Sequence, residues 1–281
     1  MFSTNQARGC ICLLIAAVAF YHKSANAAVA AVWDTYRSIP LVQHDSFEPL
    51  VAVTAFFIWT RMWHVLDVYV PSLRVYKLHL SHNIKAWKLE GYPRWEAVYY
   101  LAPLLVFDWI YPRRKLDQPP PSVERVVFDV IGALLIYDLL FFFSHLALHK
   151  VPFLRRFHAR HHVMGGDMRA CDATRAHPLE ELALVTFAIT SLNLLRCHFL
   201  SRFIFNITIG YMLTEVHSGY DFPWMLHRVV PFKLVGGSVR HGQHHAKGDR
   251  YYQQFFTYLD DTYEWVRRKQ QRIGESPDQE G

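Results

Sequence analysis

Histidines in three short clusters are the residues of this chain whose type and spacing can do chemistry. The clusters hold eight of the 17 histidines in 281 residues, and they read His145-Leu-Ala-Leu-His149, His158-Ala-Arg-His161-His162 and His241-Gly-Gln-His244-His245. Neutral imidazole is the commonest protein ligand for zinc, copper, iron and nickel. The three clusters therefore predict one polynuclear metal centre.

The spacing within the clusters places imidazoles on shared helical faces. Residues three or four apart on an α-helix lie one above the other, as His145 and His149 do at the end of a predicted helix. Asp138 lies about two turns before His145 on the same face, and we expect its carboxylate to orient an imidazole. Eight nitrogens exceed the needs of one tetrahedral zinc, so two metal ions are the economical count.

Spacing does not identify the element. Nitrogen-rich sites with open positions suit iron, which can activate oxygen, and zinc is the main rival. The other interpretation is that these are polar histidines on a cytosolic surface. A single pair four residues apart is more often incidental than metal-binding, but three clusters together are much harder to explain without a metal.

Apolar blocks surround the clusters. Hydrophobic residues make up 52% of the chain and charged residues only 19%, against about a quarter in soluble domains. The blocks at 47–70 and 123–144 approach the roughly 20 residues of a membrane span. The block at 95–111 is shorter, and 10–20 fits a short anchor or a signal peptide. The pI near 9.1 indicates a membrane-facing basic surface, since no nucleic-acid-binding motif accompanies it.

The apolar run at 179–213 must return the chain to the side it left. Asn193, Arg196 and His198 interrupt it, so each half is short for a single crossing and a helical hairpin fits better. A hairpin lets the third cluster meet the first two. The basic segments 150–175 and 228–272 then face the cytosol, although the basic residues at 113–115 conflict with a simple span count.

The expected architecture is all-α. We predict an integral membrane helical bundle with a cytosolic histidine-rich cap that holds a dinuclear metal site. Residues 1–46 form an N-terminal anchor or signal-like segment, 47–270 the membrane-embedded catalytic domain and 271–281 a flexible tail.

Several stretches around the clusters carry a family resemblance. They are residues 70–77, 137–145, 149–154, 157–162, 217–224 and 227–232. With the order of the clusters, they resemble the fatty acid hydroxylase/sterol desaturase superfamily of membrane di-iron enzymes, and within it the cholesterol 25-hydroxylase and C-4 methylsterol oxidase branch. The chain departs from the family pattern at Arg240-His241, at 249–252 and at 261–264, which leaves substrate and exact reaction less defined than the ligand set.

The resemblance implies a function and a ligand set. The eight clustered histidines become ligands of two iron ions, and His217 becomes a ninth. Dioxygen is the co-substrate, and the reaction hydroxylates an unactivated C–H bond of a sterol or sterol-like lipid. The alternatives are C-4 methylsterol oxidation, sterol desaturation, fatty-acyl hydroxylation and, outside enzymes, a histidine-rich membrane protein that binds zinc.

The resemblance also implies partners and a location. Electrons come from a separate donor such as cytochrome b5 with its reductase, because the chain has no dinucleotide fingerprint and no fused haem domain. The enzyme is expected in the endoplasmic reticulum membrane, multi-pass, with its site facing the cytosol. Basic residues are expected to dock an acidic donor or, equally, to contact anionic lipid: Arg155, Arg156, Arg160, Arg267 and Arg268.

Other residues receive smaller roles. Candidate lipid-pocket residues are Phe141, Phe142, Phe143, Tyr220 and Trp224. His177 is expected behind the ligands or at a helix start, and His227 near the site against backbone or substrate. The remaining histidines are expected to be structural or exposed: His22, His44, His64, His79, His82 and His198.

Overall fold

The computed structural model describes residues 3–79, 94–110 and 116–274. Its helices are α1 Thr4–Phe20, α2 His22–Ser38, α3 Phe47–Tyr69, α4 Arg94–Ile110, α5 Val123–Lys150, α6 Pro152–His158, α7 Pro178–Leu194, α8 Phe199–His217, α9 Leu226–Val229, α10 Gly237–Lys247 and α11 Tyr258–Gly274, with short 3-10 turns at Pro71–Tyr76, Ala170–Thr174 and Pro231–Lys233. Within the described ranges no strand forms, and two isolated bridges are the only β-type pairing. The predicted all-α class is confirmed.

Two helices in the described part of the chain are long and apolar enough to cross a membrane. They are α3 and α5, and the bent pair α1–α2, with an angle of 88° between its halves, adds a third candidate. The predicted blocks at 47–70 and 123–144 thus became the two long helices, while α4 is a shorter apolar helix. His82, the basic residues at 113–115 and the tail from 275 lie outside the described residues.

Helices α7 and α8 form the predicted helical hairpin, which brings the third histidine cluster back to the first two. Their connection lies beside the first turns of α5, where the His198 backbone N–H donates to Asp129 Oδ2 at 2.9 Å. At their other ends, Glu180 accepts from His158 Nδ1 at 2.7 Å and His217 Nε2 lies 3.4 Å from His161 Nε2. The chain therefore leaves the histidine-rich end, turns at the far end of the bundle and comes back.

Close helix packing holds this bundle together. Gly210 of α8 faces the α3 backbone, where a Cβ would be in van der Waals contact with Phe56 N at 3.4 Å. Trp59 Nε1 donates to Ile207 O at 3.1 Å. At the far end, Arg202 of α8 pairs with Glu48 of α3 at 2.7 Å, so a buried charge in an apolar surrounding keeps a partner.

Helix α1 runs beside the bundle in the direction opposite to α5. Near its start, the Arg8 guanidinium donates to Arg228 O at 2.8 Å on the histidine side. Just beyond its end, His22 contacts Glu124 at the start of α5. Between these contacts α1 exposes apolar side chains such as Leu13 and Leu14. Such a helix needs an apolar surrounding, which a bilayer supplies.

We call residues 151–177 and 218–274, which lie beyond the ends of α5, α7 and α8, the cap. Asp138 of α5 fastens the cap to the bundle. Its carboxylate accepts from Gln253 Nε2 at 2.7 Å and from the backbone N–H groups of Gln254, Phe255 and Phe256 at 2.9–3.1 Å. The prediction that Asp138 orients an imidazole is wrong. Nearer backbone donors occupy its carboxylate, and its effect on the histidines passes through this loop.

We expect Asp138→Ala to lower the free energy of unfolding by about 3 kcal/mol, because it leaves several buried donors without an acceptor. Glu124→Ala, at the exposed start of the same helix, should change it by less than about 1 kcal/mol. Thermal unfolding of the purified protein in detergent measures both. Equal effects would contradict the anchoring role.

Candidate metal centre

The structure brings all nine predicted ligand residues together and divides them into two groups. The five-histidine group contains His145, His149, His158, His162 and His244, and the four-histidine group contains His161, His217, His241 and His245. Within each group, one ring nitrogen of every residue lies within 4.8 Å of the others. Each group thus has enough ligand atoms for one ion.

Nitrogen–nitrogen distances in the five-histidine group fit shared coordination. His158 Nε2 lies 2.9 Å from His145 Nε2 and 2.9 Å from His162 Nε2. Two nitrogens each about 2.1 Å from one ion are separated by about 3.0–3.4 Å, so these contacts are close to ligand spacing. The Nε2 atoms of His149 and His244 are buried and have no hydrogen-bond partner. A metal ion bound in this group would provide the partner that both nitrogens lack.

The four-histidine group has similar spacing. His241 Nε2 lies 3.0 Å from His217 Nε2 and 3.1 Å from His245 Nε2. The two groups adjoin each other, since the rings of His162 and His245 stack with centroids 4.5 Å apart. The donor set of both groups therefore fits a pair of neighbouring metal ions.

The groups do not follow the sequence clusters. The first cluster lies wholly in the five-histidine group, whereas His161 separates from His158 and His162 to join the other. His244 likewise separates from His241 and His245, which are four apart on one face of α10. The second and third clusters thus each supply both groups.

Hydrogen bonds behind the rings determine which nitrogen faces the centre. The Nδ1 atoms of four of these histidines lie 2.7–2.8 Å from an acceptor: His145 from Tyr252 O, His158 from Glu180 Oε1, His217 from Leu213 O and His244 from Arg250 O. Because carbonyl and carboxylate oxygens only accept, each Nδ1 carries the proton. The Nε2 lone pair then points into its group, as a metal ligand requires.

Five cap histidines of the centre are neutral at physiological pH: His161, His162, His241, His244 and His245. Burial and, second to it, neighbouring histidines lower the pKa of His161, His241, His244 and His245 well below its ordinary value. The same causes lower the pKa of His162 to about 4. Neutral imidazoles are the form that binds metal.

Two residues behind the ligands were not predicted from the sequence. Glu180 lies 22 residues beyond His158, and Tyr252 contributes a backbone carbonyl. The only signal for Glu180 was its place after His177. His177 was expected either behind the ligands or at a helix start. It caps the start of α7, where its Nδ1 accepts from Leu179 N at 3.2 Å.

The remaining histidines in the described chain lie outside both groups. His227 pairs with Asp221 at 2.8 Å, and its ring occupies the space that a side chain on Gly237 would fill. His198 caps α8, where its Nδ1 accepts from Leu200 N. These contacts agree with structural roles.

The predicted pocket residues have different environments. Phe141, Phe142 and Tyr220 are buried, and the Phe141 ring lies 4.8 Å from that of His145. Phe143 and Trp224 are exposed. A small cavity of about 30 Å³ lies at the far end of the bundle, lined by residues including Glu48, Asn193 and Arg202. It does not adjoin the histidines.

A fatty acid hydroxylase family model matches residues 130–264. Cholesterol 25-hydroxylase of Homo sapiens is 32% identical over 238 residues, covering 82% of this chain and 87% of that protein. Its counterpart in Mus musculus is 30% identical, covering 84% and 82%. A cholesterol 25-hydroxylase-like protein of Danio rerio is 31% identical, covering 82% and 94%. No solved structure matches significantly.

We expect the purified chain to hold one ion per histidine group. His149→Ala should selectively deplete the ion of the five-histidine group and His245→Ala that of the four-histidine group, because each removes a ligand from one set only. Elemental analysis per chain measures this, with His44→Ala as a control outside both groups. Full occupancy in both ligand variants would contradict the assignment.

Glu180→Gln should weaken metal retention by roughly 10–100-fold, because His158 loses the carboxylate that orients its ring. Competition with a chelator measures the change. Glu264→Gln is the control, since Glu264 pairs with Arg267 on α11. Equal metal retention in the two variants would show that Glu180 does not support the metal centre.

Proposed function

Because the chain belongs to the fatty acid hydroxylase family, and is therefore a lipid hydroxylase, we propose that it uses two iron ions and dioxygen to hydroxylate an unactivated C–H bond of a sterol or sterol-like lipid. The observation that carries the proposal is the pair of adjacent, largely buried groups made of histidine alone. Five and four imidazoles supply enough ligand atoms for two ions.

Iron is favoured over zinc by the class of reaction. Hydroxylation is an oxidation, and zinc has no accessible change of oxidation state. Imidazole nitrogens suit iron, which can bind and activate oxygen where positions remain open. When bound, the irons would supply the reduction of dioxygen and the oxidation of the C–H bond.

The protein's own groups hold and shield this chemistry. The nine histidines act as ligands, and the oxygens of Glu180 and Tyr252 orient His158 and His145. The buried rings of Phe141 and Tyr252 pack against ligand histidines. Apolar walls exclude water from the reacting atoms, which limits side reactions.

A sterol is the substrate class that the relatives support. The proteins of 30% identity or more reported above are named cholesterol 25-hydroxylases or are cholesterol 25-hydroxylase-like. His145 and His149 lie near the end of α5, a candidate span, so a lipid can reach the centre from the bilayer. C-4 methylsterol oxidation, sterol desaturation and fatty-acyl hydroxylation would use the same centre on another bond or lipid.

The electron donor is proposed to be a separate acidic protein, cytochrome b5 with its reductase. Arg155 supports a docking face, because its guanidinium donates to the carbonyl of the ligand His149 at 3.1 Å. With the exposed Arg156 and Arg160, it places positive charge beside the five-histidine group. We propose a multi-pass protein of the endoplasmic reticulum membrane whose cap faces the cytosol.

Lipid profiling of cells that express the chain tests the proposed function. We expect an oxygen-dependent hydroxylated sterol that is absent with His161→Ala and His244→Ala, one variant in each histidine group, because both remove a ligand. His44→Ala should retain the product, and all variants should insert into membranes equally. Stably bound zinc, with no oxygen consumption and no dependence on an electron donor, would refute the enzyme proposal. An active His161→Ala variant would show that His161 is not a required ligand.

A further inference from the structure

Phe232 has the most exposed side chain among the large hydrophobic residues that the structure describes, at 88%. It lies between α9 and α10, in the segment 230–234 that we call the cap loop. Leu234 of the same loop is 47% exposed, and Lys233 between them is also exposed. The cap loop thus presents two apolar side chains and one lysine to its surroundings within three residues.

The backbone of the cap loop is held in an unfavourable conformation. Phe232 and Lys233 both have left-handed backbone angles, with φ of 59° and 55°. Residues with a Cβ rarely adopt left-handed backbone angles. Two such residues in succession persist only where the surrounding structure imposes this conformation. In this conformation the Phe232 side chain faces outward.

Contacts to the segment 255–257 impose that conformation. Thr257 Oγ1 donates to Lys233 O at 2.8 Å, and Gly236 N donates to Phe255 O at 2.8 Å. Val235 and Phe256 form a bridge. The exposure of Phe232 is therefore a feature of a fastened loop.

The neighbouring α1 indicates what covers the loop. The Arg8 guanidinium donates to the carbonyls of Arg228 and Val229, immediately before the cap loop. One turn or so beyond Arg8, α1 begins to expose apolar side chains along its length, including Leu13 and Ile15. Arg8 thus marks the level at which the apolar layer begins, and the cap loop lies at that level.

We propose that the cap loop is seated in the headgroup layer of the bilayer, with Phe232 and Leu234 toward the acyl chains and Lys233 toward lipid phosphates. Aromatic rings favour this depth, and lysine places its ammonium among headgroups while its stem stays apolar. The loop leads through Gly237 into α10, which carries His241, His244 and His245. The contact therefore sets the position of the third histidine cluster relative to the membrane, and it does not depend on which metal or lipid the enzyme uses.

Depth-dependent quenching tests the seating of the loop. The full chain, with the exposed Cys10 and Cys12 replaced by serine, carries Phe232→Cys labelled with an environment-sensitive fluorophore. It is reconstituted in phosphatidylcholine vesicles that contain phosphatidylserine and a nitroxide lipid quencher near the headgroups. Quenching should be at least about twofold stronger than for a label at Gln271→Cys on the polar end of α11. Equal quenching at the two positions would overturn the proposal.

A second variant separates membrane contact from folding. Asparagine tolerates positive φ but is not apolar, so Phe232→Asn keeps the loop conformation while removing its anchor. With the label at Leu234→Cys, Phe232→Asn should reduce quenching and leave thermal unfolding unchanged. Undiminished quenching at position 234 would show that Phe232 does not hold the loop in the bilayer.

Discussion

The interaction on which the structure depends is the packing of nine imidazoles into one largely buried space. A buried polar nitrogen without a partner costs about 1–3 kcal/mol, and the Nε2 atoms of His149 and His244 are in that position. Metal ions would satisfy these atoms and join segments that are far apart in the sequence. Metal binding to such a set contributes directly to folding, because the unfolded chain has no preformed site.

Bonds outside the centre connect it to the helical bundle. Asp138 holds the loop that begins at Gln253, and the preceding residue, Tyr252, supplies the carbonyl that orients His145. Glu180 does the same for His158 from the first turn of α7. The apolar bundle therefore positions the ligands through their hydrogen-bond acceptors as well as through the helices that carry them. A loss of packing far from the rings would reach the centre by these bonds.

The membrane explains why the ligands lie at one end of the bundle. A lipid C–H bond must reach the centre, and under the proposed function a separate electron donor would approach it from water. A site at the end of α5 allows both. Helix α1 and the cap loop meet at the same level, where Arg8 contacts the backbone before Val230. We infer that the bilayer is a third partner of the cap, beside the α7–α8 hairpin and the centre.

The sequence by itself determined the helical class, the return of the chain over 179–213 and the eight clustered histidines that meet at the centre. The length of an apolar block and the spacing of histidines are local properties, so they can be identified without knowledge of the fold. His217 was identified only through the family resemblance, because a single histidine forms no spacing pattern. Only the tertiary structure decided that the nine divide into five and four, since that depends on which face of α10 meets which side of the turn after α6. It also reassigned Asp138 and added Glu180 and Tyr252, because a hydrogen-bond acceptor is chosen by distance in space, and neither helical periodicity nor composition carries that information.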